Sequence, residues 1–246
     1  MSPREIALPN PGSGTPAGQR HFHEQLGELT ALLRRMADLA GKLVADAVDA
    51  ITYRDGDRVD AIIEADHEID TLEIRIEELT VSVLALHQPM ARDLRFVIGA
   101  IKMANDLERI GDHAVNIAQS ARRLGDHEAS FLPDPTIEDM SRRALKMLHD
   151  AVNAFIDSDG PLGRAVCAED DTVDSLHESV FRILLTHMMA DPRTITPALE
   201  LLLVSRNLER VADLATNIGE DAVFLAEGKQ IKHHFEGARR GEQAGQ

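Results

Sequence analysis

The chain of 246 residues has no tryptophan, one tyrosine and one cysteine. A lone thiol, Cys167, excludes an internal disulfide framework and is compatible with a reducing cytoplasm. Strands would call for more Thr, Tyr and Phe, so this scarcity, beside many Ala, Leu, Glu and Asp, points to helices. Positive charge is short as well. Against 26 Lys and Arg stand 42 Asp and Glu, a net charge of -16, which repels phosphate backbones and excludes nonspecific nucleic-acid binding. No segment approaches the roughly 18 uninterrupted apolar residues of a membrane span, and the first residues lack the apolar stretch of a secretory signal. The expectation is a soluble, cytoplasmic chain whose partners are proteins, metal cations or small molecules.

Apolar residues recur at spacings of three and four. Leu26, Leu29, Leu33, Met36, Leu39 and Leu43 open a helix that runs to about Tyr53, before "RDGDR". Ile69, Leu72, Ile76, Leu79, Val83 and Leu86 mark a second, closed at Pro89. A third spans about Arg92 to Arg123, a fourth starts near Ile137, a fifth follows "SDGPLG" and a sixth follows "ADPRTITP". Such spacing is the seam of packed helices. Residues 1–20 and 229–246 read as tails, and 126–136 as a connector between halves 21–125 and 137–228. His233 and His234, in the second tail, read as solvated residues rather than a metal site.

The two halves repeat each other. Sliding the chain by 104 residues places "DAVDAITYRDG" on "DAVNAFIDSDG", and Asp66 and Asp70 on Asp170 and Asp174. A slide of 101 places "DLERIGDHAVNIA", from Asp106, on "NLERVADLATNIG", from Asn207. The difference of three falls in the loop between second and third helices, where insertion costs little. The predicted fold is therefore all-α: two tandem three-helix bundles, six long antiparallel helices, related by a pseudo-twofold axis.

Within each copy of the phrase, polar residues follow one another at intervals of four: Glu108, Asp112 and Asn116 in the first, Glu209, Asp213 and Asn217 in the second. One turn apart, they form a row along the border of the apolar stripe. Asp66, Asp70, Glu73 and Glu77 follow the same border on the second helix, so antiparallel packing would bring about four carboxylates to one seam in each half. Ionised carboxylates held that close must be dispersed to solvent, protonated, paired with bases or bridged by cations. Oxygen-rich sites suit Mg, Ca, Mn or iron, and helical bundles hold di-metal centres between carboxylate helices. The Glu-x-x-His pair of di-iron bundles is missing. His113 points about 100° away from Asp112 around the helix, whereas His177, aligned with Glu73, is the better histidine candidate. Any one such pair is more often a solvated face, or an ion pair with Arg109 or Arg210. Recurrence at matched places favours a metal or another specific polar role.

The phrases "QPMARDLRFV" and "LERIGDHAVNIA", mirrored by "DPRTI" and "LERVADLATNI", resemble the PhoU family, accessory regulators of bacterial phosphate uptake. The likeness spans about His21 to Gly228. It implies a pair of three-helix PhoU domains whose motif acids carry multinuclear iron or zinc clusters. Carried onto this chain, those acids are Asp66, Asp70, Glu108, Asp112, Asp170, Asp174, Glu209 and Asp213. Glu73, Asn116, His177 and Asn217 stand beside them as lesser candidates. The glycine preceding the motif Asp is present as Gly111 and replaced by Ala212. The resemblance also implies a non-enzymatic negative regulator of the phosphate regulon that contacts the ATPase subunit PstB of the phosphate ABC transporter and the sensor histidine kinase PhoR. It would reach the membrane only through those partners, and a homodimer is compatible with the reading. Two other classes compete: a carboxylate-bridged metalloenzyme and a purely structural helical scaffold. Against the enzyme, the chain has no GxxxxGKS/T loop, no HExxH and no G-x-S-x-G.

Overall fold

The computed structural model describes residues 16–125 and 135–231. Six helices carry the described residues: α1 (Pro16–Tyr53), α2 (Arg58–His87), α3 (Ala91–Gly125), α4 (Pro135–Asp157), α5 (Gly160–Ala190) and α6 (Ile195–Glu227), with a short 3-10 turn at Pro192–Thr194 before α6. No strand occurs among the described residues.

The ends follow local chemistry. Gln88 caps α2 with a left-handed φ of 46° and donates its N–H to Leu84 O, and Pro89 cannot continue the helix. Asp159 caps α5, its side chain accepting from the Leu162 N–H at 2.9 Å. At the far end of α6, Gly228 takes φ 70° and donates to Phe224 O, a conformation that glycine adopts without a Cβ penalty.

Three boundaries differ from expectation. α5 begins at Gly160, inside "SDGPLG", and α6 at Ile195, inside "ADPRTITP". In both, a proline sits in the first turn, where its missing N–H would have had no intrahelical partner. α1 starts at Pro16, so residues 16–20 are helical rather than part of a tail. Residues 1–15, 126–134 and 232–246, with His233 and His234, lie outside the described residues, as does most of the expected connector.

Packing follows the repeat. In the first half α1, α2 and α3 pack on one another, and in the second α4, α5 and α6 do the same. The halves join chiefly through α3 against α6, with α1 against α4 as a lighter second contact. Ion pairs Lys102–Asp221 at 3.1 Å and Arg123–Glu200 at 2.8 Å show that α3 and α6 run antiparallel, as a pseudo-twofold axis between copies requires. One apolar core runs through both halves, from Leu33 and Ile69 to Leu208 and Ile218. Gly99 has no side chain to hold off the Phe155 ring of the other half, which stacks on Phe96 at 5.5 Å. With α1 and α4 on one side, α2, α3, α6 and α5 form a row whose other side is covered by no helix among the described residues, and this open side carries the acids.

Candidate functional site

In the first half the α2 and α3 rows meet. Asp66 is half-buried under α3 at Gly111, where a Cβ would overlap its Oδ1 and come within 3.0 Å of Ile69 Cδ1. Glycine therefore lets the carboxyl approach the α3 backbone closely. Burial, then the charges of Asp70 and Asp112, push Asp66 up to about 6, with His67 opposing. Glu108 is raised by burial first and then by Asp112, Glu73, Asp70 and Asp66. Glu73 is raised by burial and by Glu77 and Asp70, while a hydrogen bond with Asn105 pulls the other way. Among the described residues no lysine or arginine pairs with Asp66, Asp70, Glu108 or Asp112. The base beside them is His67, whose Nδ1 lies 3.6 Å from Asp70 Oδ2. Asn116 continues the row one turn further, exposed.

The second half has the same rows with different neighbours. Arg210 donates to Asp213 at 2.8 Å and lies 3.5 Å from Glu209. Glu209 is still raised, by burial first and then by Asp213 and Asp174, but Arg210 and His177 oppose the rise. Thr216 Oγ1 donates to Asp170 at 3.3 Å, and His177 Nδ1 hydrogen-bonds Ser205 Oγ at 3.0 Å. Asn217 is half-buried beyond Asp213.

One letter of the repeated phrase explains the difference. Arg109, the counterpart of Arg210, turns back to Asp106, three residues earlier, at 3.9 Å. The matching residue in the second half is Asn207, which carries no charge and accepts from His113 at 2.9 Å across the α3–α6 interface. Arg210, without that acid behind it, turns forward to Asp213. Asp112 thereby lacks the arginine that Asp213 has.

The structure thus brings Asp66, Asp70, Glu73, Glu108 and Asp112 into one electrostatic group, and Asp174, His177, Glu209 and Asp213 into another. An all-oxygen, like-charged set without its own counter-ion has the donor chemistry that hard and borderline cations select. As placed, however, no three His, Cys, Asp or Glu side chains among the described residues converge tightly enough to hold an ion. The first-half row can take up a proton near pH 6, or accept positive charge from outside. Cys167 offers no alternative chemistry, because burial pushes its thiol up to about 12.

Sequence reasoning placed the rows but missed the close approach at Gly111 and the reorientation of Arg109. The second was signalled by the Asp106-to-Asn207 difference.

Comparison with known proteins follows the same two-part division. The PhoU domain family matches residues 33–121 and again 137–222. The chain is 39% identical over 212 residues to the phosphate-specific transport system accessory protein PhoU homolog of Caulobacter vibrioides, an alignment covering 86% of this chain and 92% of that protein. To the homolog of Aquifex aeolicus it is 38% identical over 210 residues, covering 85% and 95%. The crystal structure of PhoU from Pseudomonas aeruginosa aligns with TM-score 0.81 at 36% identity, over 85% of this chain and 100% of that one. The phosphate transport system regulatory protein PhoU from Streptococcus pneumoniae aligns with TM-score 0.79 at 28% identity, over 86% and 99%.

Proposed function

The chain belongs to the PhoU family, and on that premise we propose that it is a cytoplasmic accessory protein of phosphate transport that acts by protein contact rather than by catalysis. Its relatives are named as accessory and regulatory proteins of the phosphate transport system. In this reading it docks on the ATPase subunit of the phosphate ABC transporter and on a membrane sensor histidine kinase, and holds the phosphate regulon off when phosphate is plentiful. No helix among the described residues is long and apolar enough to cross a membrane, so contact with the membrane runs through those partners.

The observation that carries the proposal is the open side of the α2–α3–α6–α5 row. There, long helices expose two related acidic rows, the first without a base of its own from Lys or Arg. Such a face attracts cations and basic surfaces and lacks the paired acid, base and nucleophile of an active site. Cation binding belongs to the same proposal: iron or zinc clusters, or Mg, Mn or Ca, would be held by Asp66, Asp70, Glu108 and Asp112 after rotation of their exposed ends, and by Asp170, Asp174, Glu209 and Asp213 in the second half. Bound cations would supply the missing neutralisation. A homodimer is compatible with either use of the face.

The test is association of the purified chain with the transporter ATPase and with the kinase, at high and low phosphate. Phosphate-dependent binding to at least one supports the reading, and no binding to either under both conditions rejects it. Metal analysis runs alongside. Stoichiometric metal lost on Asp112→Asn and Asp213→Asn replacement supports cation binding, and metal-free protein that gains no ion on addition of iron or zinc rejects it.

A further inference from the structure

The open side of α3 carries more than acid. Its row of outward-facing residues, read from the start of the helix, is Leu94, Ile98, Asn105, Glu108, Asp112 and Asn116, spaced three, four or seven apart and so on one face. Leu94 is 39% exposed and Ile98 42%. Met90 at the hairpin and Val81 on α2 are more exposed still, at 66% and 61%. On the antiparallel α2, Val81 is followed inboard by Glu77 and Glu73. The seam between α2 and α3 is therefore apolar at the hairpin end and acidic toward the middle, from Leu94 to Asp112, or about 27 Å of helix. The bases of this stretch have partners outside the row, Arg109 in Asp106 on its own helix and the other two on α6. Arg95 donates to Leu225 O, and Lys102 pairs with Asp221, both on α6.

We infer that this seam is a docking strip for an amphipathic helix of a partner protein, with apolar residues at one end and Lys or Arg at the other. The inference rests on the accessory role proposed above and names the chemistry of the partner. Exposed apolar side chains in a cluster gain by being covered, and a helix laid in a groove is read through residues at three- and four-residue spacing. Charge decides the occupant. The acidic end repels an anionic lipid surface, and it repels a second copy of a chain whose net charge is -16. A helix with bases at one end meets both parts of the strip at once. The second half repeats the apolar end, since Ile195, Leu199 and Leu185, the counterparts of Leu94, Ile98 and Val81, are 42%, 48% and 43% exposed. It does not repeat the unpaired acids, because Arg210 pairs with Asp213 and Arg206 stands where α3 has Asn105. The basic end of the partner helix thus selects the first half.

The experiment uses the full chain with a chelator present and an 18-residue labelled helical peptide, with leucines at three- and four-residue spacing in one half and lysines in the other. Fluorescence anisotropy reads binding. A peptide of the same composition in scrambled order is the control. The wild-type chain binds the amphipathic peptide and not the scrambled one. The double change Leu94→Glu and Ile98→Glu weakens binding by about tenfold or more, since two apolar contacts are lost and charge is added. Glu108→Gln with Asp112→Asn weakens binding and flattens its salt dependence, while Leu199→Glu in the second half changes it less than about twofold. None of the four altered α3 positions is buried, and circular dichroism and melting confirm that the variants fold. Ile98→Gln gives a second, milder change of the same contact. No peptide binding, equal binding of the scrambled peptide, insensitivity to the α3 changes, or an equal effect of Leu199→Glu overturns the inference. So does light scattering that shows a wild-type dimer dissociated by Ile98→Glu, which would assign the strip to a second copy. A transporter ATPase that binds the wild type and the α3 variants equally removes the strip while leaving the accessory role standing. An ATPase and kinase that bind neither remove the role itself.

Discussion

Asp66→Asn isolates the electrostatic cost of the first-half row. Its carboxyl rises from the ordinary 3.8 to about 6, mainly by burial and then by Asp70 and Asp112. A native pKa above the unfolded one means that, between 3.8 and about 6, the folded chain keeps a proton that the unfolded chain has released. Stability from this group is therefore full below 3.8, declines as pH climbs through that window, and is gone above it. At about 1.36 kcal/mol per pH unit the ceiling is about 3 kcal/mol. Asp66 is only half-buried, so solvent screening lowers the expected penalty at neutral pH to about 1 kcal/mol. Asparagine keeps the shape and cannot ionise. With a chelator present, melting followed by circular dichroism across the acidic and neutral range will place Asp66→Asn about 2–4 °C above the wild type at neutral pH. The two will coincide at the acid end. An equal or lower melting temperature for the variant at neutral pH, or parallel pH profiles, would refute the argument that the row is crowded and unneutralised.

Gly111→Ala puts a Cβ onto Asp66 Oδ1 and against Ile69 Cδ1, so the Asp66 carboxyl must swing aside while the helices stay packed, as at the matching Ala212, and denaturant unfolding changes by less than about 1 kcal/mol. Phe155→Ala empties a fully buried site that also holds Phe96. It costs about 3–5 kcal/mol and lowers the melting temperature by on the order of 10 °C. Arg210→Ala strips the second-half acids of their base. Glu209 then titrates at still higher pH in an NMR titration, and an unchanged Glu209 midpoint would show that Arg210 does not hold it down.

Much of the fold was legible because three- and four-residue spacing and the duplication are properties of the letters themselves. Leu29, Leu33 and Met36 announce a buried stripe, and matched slides of 104 and 101 announce a twofold. The acidic seams followed from the same helical arithmetic applied to Asp66, Asp70, Glu108 and Asp112. Other features needed coordinates. Leu94 and Ile98 keep the same spacing as core residues, and periodicity cannot say that a stripe faces water when a helix carries two. The helical start at Pro16 was obscured by the prolines and glycines before it, although Thr15 followed by Pro16 is a helix-start pattern in the letters. Arg109 and Arg210 are identical letters in related phrases, and they point in opposite directions where the residue three places earlier is Asp106 in one and Asn207 in the other.

That last feature gives the molecule a head and a tail. Duplication alone would have yielded two interchangeable ends, on which a visitor could settle either way round. A single acid lost between Asp106 and Asn207 lets one arginine swing forward, and the twin ends acquire different appetites for positive charge. Whatever arrives carrying cations can then tell left from right, so a larger assembly built on this chain inherits one orientation from one missing carboxylate.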